Sequence, residues 1–211
     1  MEINKKTGTF FISAILALLW SFSHAHAAAF DDPSWPCQQR KVVDLSLGIM
    51  WTVPLPREFD ANSRRALPKE AQDLVVLLSL RRVSLEQAEE AVRSFSKNAE
   101  RADDDIMLSI FAAVFDTLAD TRRHVIDGIE QYSLKQIALS ERIDAARSQM
   151  RTLAETGYPD FDRIDRLEEQ LDWDARVFRD RARSLTYVCE TPVLIEKRLY
   201  AVAQMLLKHA R

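Results

Sequence analysis

Two cysteines, four glycines and four histidines are all that 211 residues hold, and each scarcity removes a class of chemistry. Cys37 and Cys189 lie too far apart in sequence for a Cys-x-x-Cys redox pair or a haem-attachment motif, and two such ligands do not make a zinc site. With so little glycine there is no phosphate-cradling loop and no Gly-x-Ser-x-Gly elbow to raise a serine nucleophile. His24 and His26 stand in the first 27 residues; His124 and His209 remain, in neither Glu-x-x-His nor His-x-x-x-His spacing, so a surface or capping role is expected of both. No excess of positive charge is present either: 29 basic residues face 32 acidic ones, a net of -3, which gives nucleic acid or an anionic surface little to bind. No catalytic residue, metal ligand or cofactor is therefore expected.

Only one long apolar run occurs, and it sits at the start. Lys5 and Lys6 precede "FFISAILALLW" (Phe10 to Trp20), and "SHAHA" then places Ala25 and Ala27 at the small-residue positions of a cleavage site. The run is shorter than the roughly 20 apolar residues a membrane span needs. Residues 1–27 are expected to be an export signal cut after Ala27, which would make the protein periplasmic or secreted. No membrane span is expected after cleavage. In an exported chain an even cysteine count suggests a Cys37–Cys189 disulfide, with two free or intermolecular thiols as the alternative. Such a bridge closes a very long loop, worth about 5 kcal/mol in the chain-entropy account.

What is abundant is helix-forming: Ala, Leu, Arg, Glu and Asp dominate. Residues 28–65 are the exception. Pro33, Pro36, Pro54 and Pro56 punctuate them, and they read as an irregular N-terminal arm anchored by Trp35, Leu45, Leu47, Ile49, Met50 and Trp51. Residues 66–211 read as one helical domain. Pro68 suits a first helical turn, and Ser84 with Gln87 forms a capping-box pattern that starts a second helix. From Asp103 to Thr156 there is no proline. There Phe111, Leu118, Val125, Tyr132, Leu139, Ala146 and Leu153 alternate at 3-4 spacing with Phe115, Arg122, Ile129, Gln136, Ile143 and Met150. That pattern predicts a coiled-coil helix about 80 Å long. "GYPD" (Gly157 to Asp160) breaks it. A second seam then runs through Ile164, Leu167, Leu171, Ala175, Phe178, Ala182, Leu185 and Cys189, which predicts an antiparallel hairpin over 103–188. Thr191 and Pro192 look like the cap and first residue of a separate C-terminal helix over 192–209.

Folding back near residue 158 lays Cys189 beside residue 127. A disulfide there would clamp the arm across the middle of the hairpin, and Gly128 either lets the arm approach closely or is simply tolerated in the helix. Several side chains could then carry function. Arg122 and Gln136 are polar residues in an apolar seam, which fix register or mark a pocket. Arg122 would need a carboxylate from Asp120, Asp127 or another helix. Trp173, with Val177, makes a second apolar strip that either packs under another element or stays exposed as a binding anchor. Tyr158 and Phe161 flank Pro159 at the tip and either contact a partner or close the turn. Asp162–Arg166 and Asp172–Arg176 are spaced as helical ion pairs on a solvated face.

In shape this resembles the small helical periplasmic stress chaperones, but their Leu-Thr-x-x-Gln signature is absent and "SLEQA" at Ser84 is a poor match. The expectation is an all-α protein: a helical bundle body with a long antiparallel coiled-coil hairpin, preceded by the irregular arm. The expected function is that of a non-enzymatic interaction or scaffold protein acting through the hairpin, on another cell-envelope protein or by self-association. A chaperone-like or small-ligand-binding role is the alternative.

Overall fold

A computed structural model describes residues 32–55, 67–98 and 104–210. The expected cleavage site, with Ala25 and Ala27, lies outside the described residues. Among them are five helices and no strand: α1 (Leu47–Met50), α2 (Lys69–Ser79), α3 (Leu85–Asn98), α4 (Asp104–Ala154) and α5 (Phe161–His209). None is long and apolar enough to cross a membrane.

Local signals place the short helices. Pro68 caps α2 in extended conformation, where its missing N–H costs nothing. Ahead of α3 the capping box closes both ways: the Gln87 amide N–H donates to Ser84 Oγ at 3.2 Å, and the Ser84 N–H donates to Gln87 Oε1 at 3.0 Å. The Asp160 carboxylate accepts from the Arg163 N–H at 3.0 Å and starts α5.

The two long helices run antiparallel. Arg122 meets Glu196, Gln136 meets Phe178 and Arg142 meets Asp174, so numbering rises on one helix as it falls on the other. At the end of the hairpin away from the turn, α2 and α3 pack against the pair and complete a body. Its core holds Phe111, Met107, Ile110 and Leu78 with Ile195, Leu199, Val202 and Leu206, all without measurable exposure. Trp51 from the arm stacks on Phe111 with ring centroids 5.3 Å apart. Each such side chain contributes about 1.5–3 kcal/mol by leaving water.

The structure corrects one boundary. There is no separate helix over 192–209: α5 runs unbroken through Thr191, and Pro192 is buried inside it. Proline inside a helix costs about 3 kcal/mol and leaves nearby carbonyls without their donors. Here the helix is held on both sides of the proline, by the disulfide at Cys189 and by the body core from Ile195 onward. The Gln39 amide of the arm also donates to the carbonyl of Cys189, three residues before the proline, and ties the strap to this turn. Packing outweighs the local stop signal. Among the expected arm anchors Ile49 is the exception; it points to solvent while Leu45, Leu47 and Met50 pack on the body.

Candidate functional site

Cys37 and Cys189 are bridged, with Cα atoms 5.5 Å apart and a sequence separation of 152. The bridge fixes the arm as a strap across the hairpin. Beneath it lies a small second core of Trp35, Cys37, Ile126, Ile129 and Cys189, with Val125 at its margin. Other ties reinforce the strap. The Trp35 indole N–H donates to the Gln39 carbonyl at 2.7 Å, Ser133 Oγ donates to the Pro33 carbonyl at 3.3 Å, and Lys41 pairs with Glu130.

Arg122 is the strongest of these ties. It is 3 % exposed, and its guanidinium reaches three groups. Nη1 donates to the carbonyls of Val42 (2.6 Å) and Val43 (2.9 Å), while Nε (2.8 Å) and Nη2 (2.6 Å) both donate to Glu196 Oε1. The seam arginine is thus a three-way clasp joining α4, α5 and the strap. Its carboxylate comes from α5, and neither Asp120 nor Asp127 supplies it; Asp120 pairs with Arg123 instead.

Gly128 plays no part in the strap. A β-carbon there would meet nothing within 4 Å, so its place in the helix reflects open space on the opposite side of the pair. The strap packs on Ile126 and Ile129, which lie to the other side of α4.

Beyond the strap only the two helices remain among the described residues, and their seam is part polar. Gln136 is buried; its Nε2 donates to the Phe178 carbonyl at 3.1 Å, and its Oε1 has no partner among the described residues. Asp174, also buried, takes both oxygens to Arg142, at 2.9 and 2.7 Å. The hydrogen bond from Arg142, then its charge, hold the Asp174 carboxyl below the usual carboxylate range against the opposing effect of burial. Arg181 lies over the ring of Tyr132, 5.9 Å from its centroid. The seam of α5 therefore uses Asp174 and Arg181, where Ala175 and Ala182 were expected; Ala182 is exposed. A search for apolar residues passes over both positions, but strict 3-4 counting from Leu171 through Phe178 to Leu185 lands on them.

The aromatic candidates are bare. Tyr158 at the tip is 97 % exposed, Phe161 beside it 69 % and Trp173 65 %. Neither the strap nor another helix among the described residues packs on Trp173. The ion pairs expected between Asp162 and Arg166 and between Asp172 and Arg176 do not close among the described residues, where the helical pairs that do close in the hairpin are Asp120–Arg123, Asp144–Arg147 and Asp180–Arg183. The surface dishes beside the hairpin are shallow: one is lined by Arg166, Gln170, Trp173 and Arg176, another by Asp180, Arg183, Ser184 and Tyr187.

In the body, Arg198 is buried without a carboxylate. Its Nε and Nη1 donate to the carbonyls of Leu78 and Val83, both at 2.8 Å, and so cap the end of α2 and the turn into α3. Burial lowers its guanidinium from the usual value. It is a structural residue that sequence reading did not single out; a lone arginine in the helical run after Pro192 gives no signal of its own. His124 sits on the surface with Nδ1 2.7 Å from the Asp120 carbonyl. No group of three or more metal-ligating side chains converges among the described residues. The chain matches no protein-family profile, no curated protein and no solved structure.

Proposed function

We propose that this chain is an exported, non-enzymatic helical interaction or scaffold protein that works through its hairpin, on another cell-envelope protein or a second copy of itself. The observation that carries the reading is the contrast along one pair of helices. One end is built into a packed body, while the other projects beyond the strap and displays Tyr158, Phe161 and Trp173 to solvent. A projecting helix pair without covering elements suits contact more than chemistry, and large exposed aromatics are favoured at binding hot spots. The export part of the reading rests on the leader sequence alone. A client- or small-ligand-binding role would call for a cradle between the body helices, where Phe111, Met107 and Leu199 instead fill the interior.

In-cell crosslinking of the tagged full chain in its native host, read by mass spectrometry, tests the proposal. The expected result is repeated crosslinks from residues 140–180 to one envelope protein or to a second copy. Crosslinks scattered over many abundant proteins, or confined within the chain, overturn it.

A further inference from the structure

The exposed face of α5 around Trp173 carries both signs of charge, and the signs change over at Trp173. Residues seven apart keep the same side of a helix in a coiled-coil pair. In the row beside Trp173, Asp162 and Glu169 come before it and Arg176 and Arg183 after it. The next row repeats that order, with Asp165 and Asp172 before and Arg179 after. The row of Trp173 itself has the reverse order, with Arg166 seven residues before and Asp180 seven after. All nine charged residues are exposed. Asp180 and Arg183 pair with each other, and the other seven form no ion pair among the described residues. An exposed helical pair of that kind is weak enough to exchange partners.

The large exposed hydrophobic side chains share this centre. Beyond the strap, among the described residues, they are Tyr158, Phe161, Trp173, Tyr187 and Val188, with Leu134 the one on α4. Tyr158 stands fifteen residues before Trp173, at the tip, and Tyr187 fourteen after it, just short of Cys189. A parallel, in-register copy of this helix laid on the face would set acid on acid and base on base. An antiparallel copy, related by a two-fold axis beside Trp173, sets opposite charges together. Arg176 then meets Glu169 and Asp172 of the second copy, Arg183 meets Asp162, and Arg166 meets Asp180. A two-fold interface makes each of these contacts twice, and charge matching of this kind selects both partner and orientation.

From this inversion of sign about Trp173 we infer that two copies of the chain pair stalk to stalk, α5 against α5 and antiparallel. Trp173 meets its counterpart at the axis, and the tip of each copy reaches Tyr187 and Val188 of the other. The overlap is the free stalk over 159–187, about 40 Å at 1.5 Å per residue. Each body then lies beyond the tip of the other copy. The inference rests on the reading of the hairpin as an interaction surface and names a second copy as its partner.

The experiment follows the tagged full chain, purified from its native host, by sedimentation equilibrium, and places a photo-crosslinking amino acid at position 187 in a mixture of isotopically light and heavy chains. A monomer–dimer equilibrium is expected, with light-to-heavy crosslinks from 187 to residues 158–161. Within one chain these places are about 40 Å apart along α5, out of the reach of the probe. Arg176→Glu, at an exposed position and checked for unchanged helix content by circular dichroism, is expected to weaken the dimer about tenfold, because it replaces attraction by repulsion at both symmetric contacts. Adding Glu169→Arg to the same chain is expected to restore most of the loss, since the exchanged charges meet again across the axis. A dimer whose crosslinks from 187 go to 187 or to the body, that is indifferent to Arg176→Glu, or that Glu169→Arg does not restore, overturns the inference. A monomer at every concentration overturns it too. If residues 140–180 of that monomer still crosslink to one envelope protein in the cell, the hairpin remains the interaction surface; if they crosslink to nothing, both readings fail.

Discussion

The body and the stalk are made from the same two helices, yet they differ in what each helix can bury. In the body α4 is approached by α2 and by α5, and it loses Met107, Ile110, Phe111 and Val114 entirely from solvent. Past the strap α4 meets α5 alone among the described residues. Between Phe161 and Val188 the only α5 side chain that becomes buried is Asp174, and it does so in an ion pair. Two helices share a single stripe, and a single stripe cannot be surrounded. Polar groups tolerated in that stripe, such as Gln136 and Arg142–Asp174, hold the register while adding little cohesion. Local stability should therefore fall from the body to the tip, the kind of gradient that native-state hydrogen exchange resolves.

The sharpest way to break this comparison is to put the same kind of deletion in each region. Phe111→Ala empties a fully buried site and is expected to cost about 3–5 kcal/mol in urea unfolding. Leu139→Ala in the stalk is expected to cost clearly less, with the body's transition unmoved; equal losses would mean that the hairpin unfolds as one unit. Next in size is the strap. Replacing both Cys37 and Cys189 by serine is expected to cost about 2–5 kcal/mol. Amide protection should be lost around Ile126 and Ile129 while that of Phe111 persists; unchanged protection at Ile126 would show that Arg122 and Lys41 hold the strap unaided. A smaller effect of opposite sign is expected from Gln136→Leu. It removes a buried oxygen without a partner and so should stabilise the stalk by about 1 kcal/mol, read as slower exchange at Leu139 and Ile143.

Acid gives the smallest effect. The Asp174 carboxyl is depressed in the folded state, so its contribution is present above its unfolded pKa and fades as the pH falls through the lower folded value. The stalk should loosen only at and below the usual aspartate range, and Asp174→Asn should abolish that dependence in a helicity titration.

The sequence made the long helix, its seam and the antiparallel return legible because apolar side chains at 3-4 spacing have one stable way to be hidden. It also placed Cys189 beside residue 127, where Ile126 and Ile129 are found. The failures share a cause. Pro192 was read as a helix start because Thr191 before it looks like a cap, but whether a proline stops a helix depends on the packing either side of it, here the bridge to Cys37 and the body core. Asp174 and Arg181 were missed because their burial depends on Arg142 and Tyr132 across the pair. Of the two readings of Gly128, the open space around it fits the tolerated glycine, because the strap lies on Ile126 and Ile129 instead. Each error came from a contact between distant parts of the chain.

The distance between the bridged cysteines also sets an order of events. Cys37 is synthesised 152 residues before its partner, and at about 5–20 residues per second its thiol must wait roughly 8–30 s. During that wait the chain contains no other cysteine it could join. A wrong bridge within the molecule is impossible, and the only available error is a bridge between two molecules. The strap can be sealed only once Cys189 has been made, and Ile126 and Ile129 of α4 then give the arm a surface to lie across.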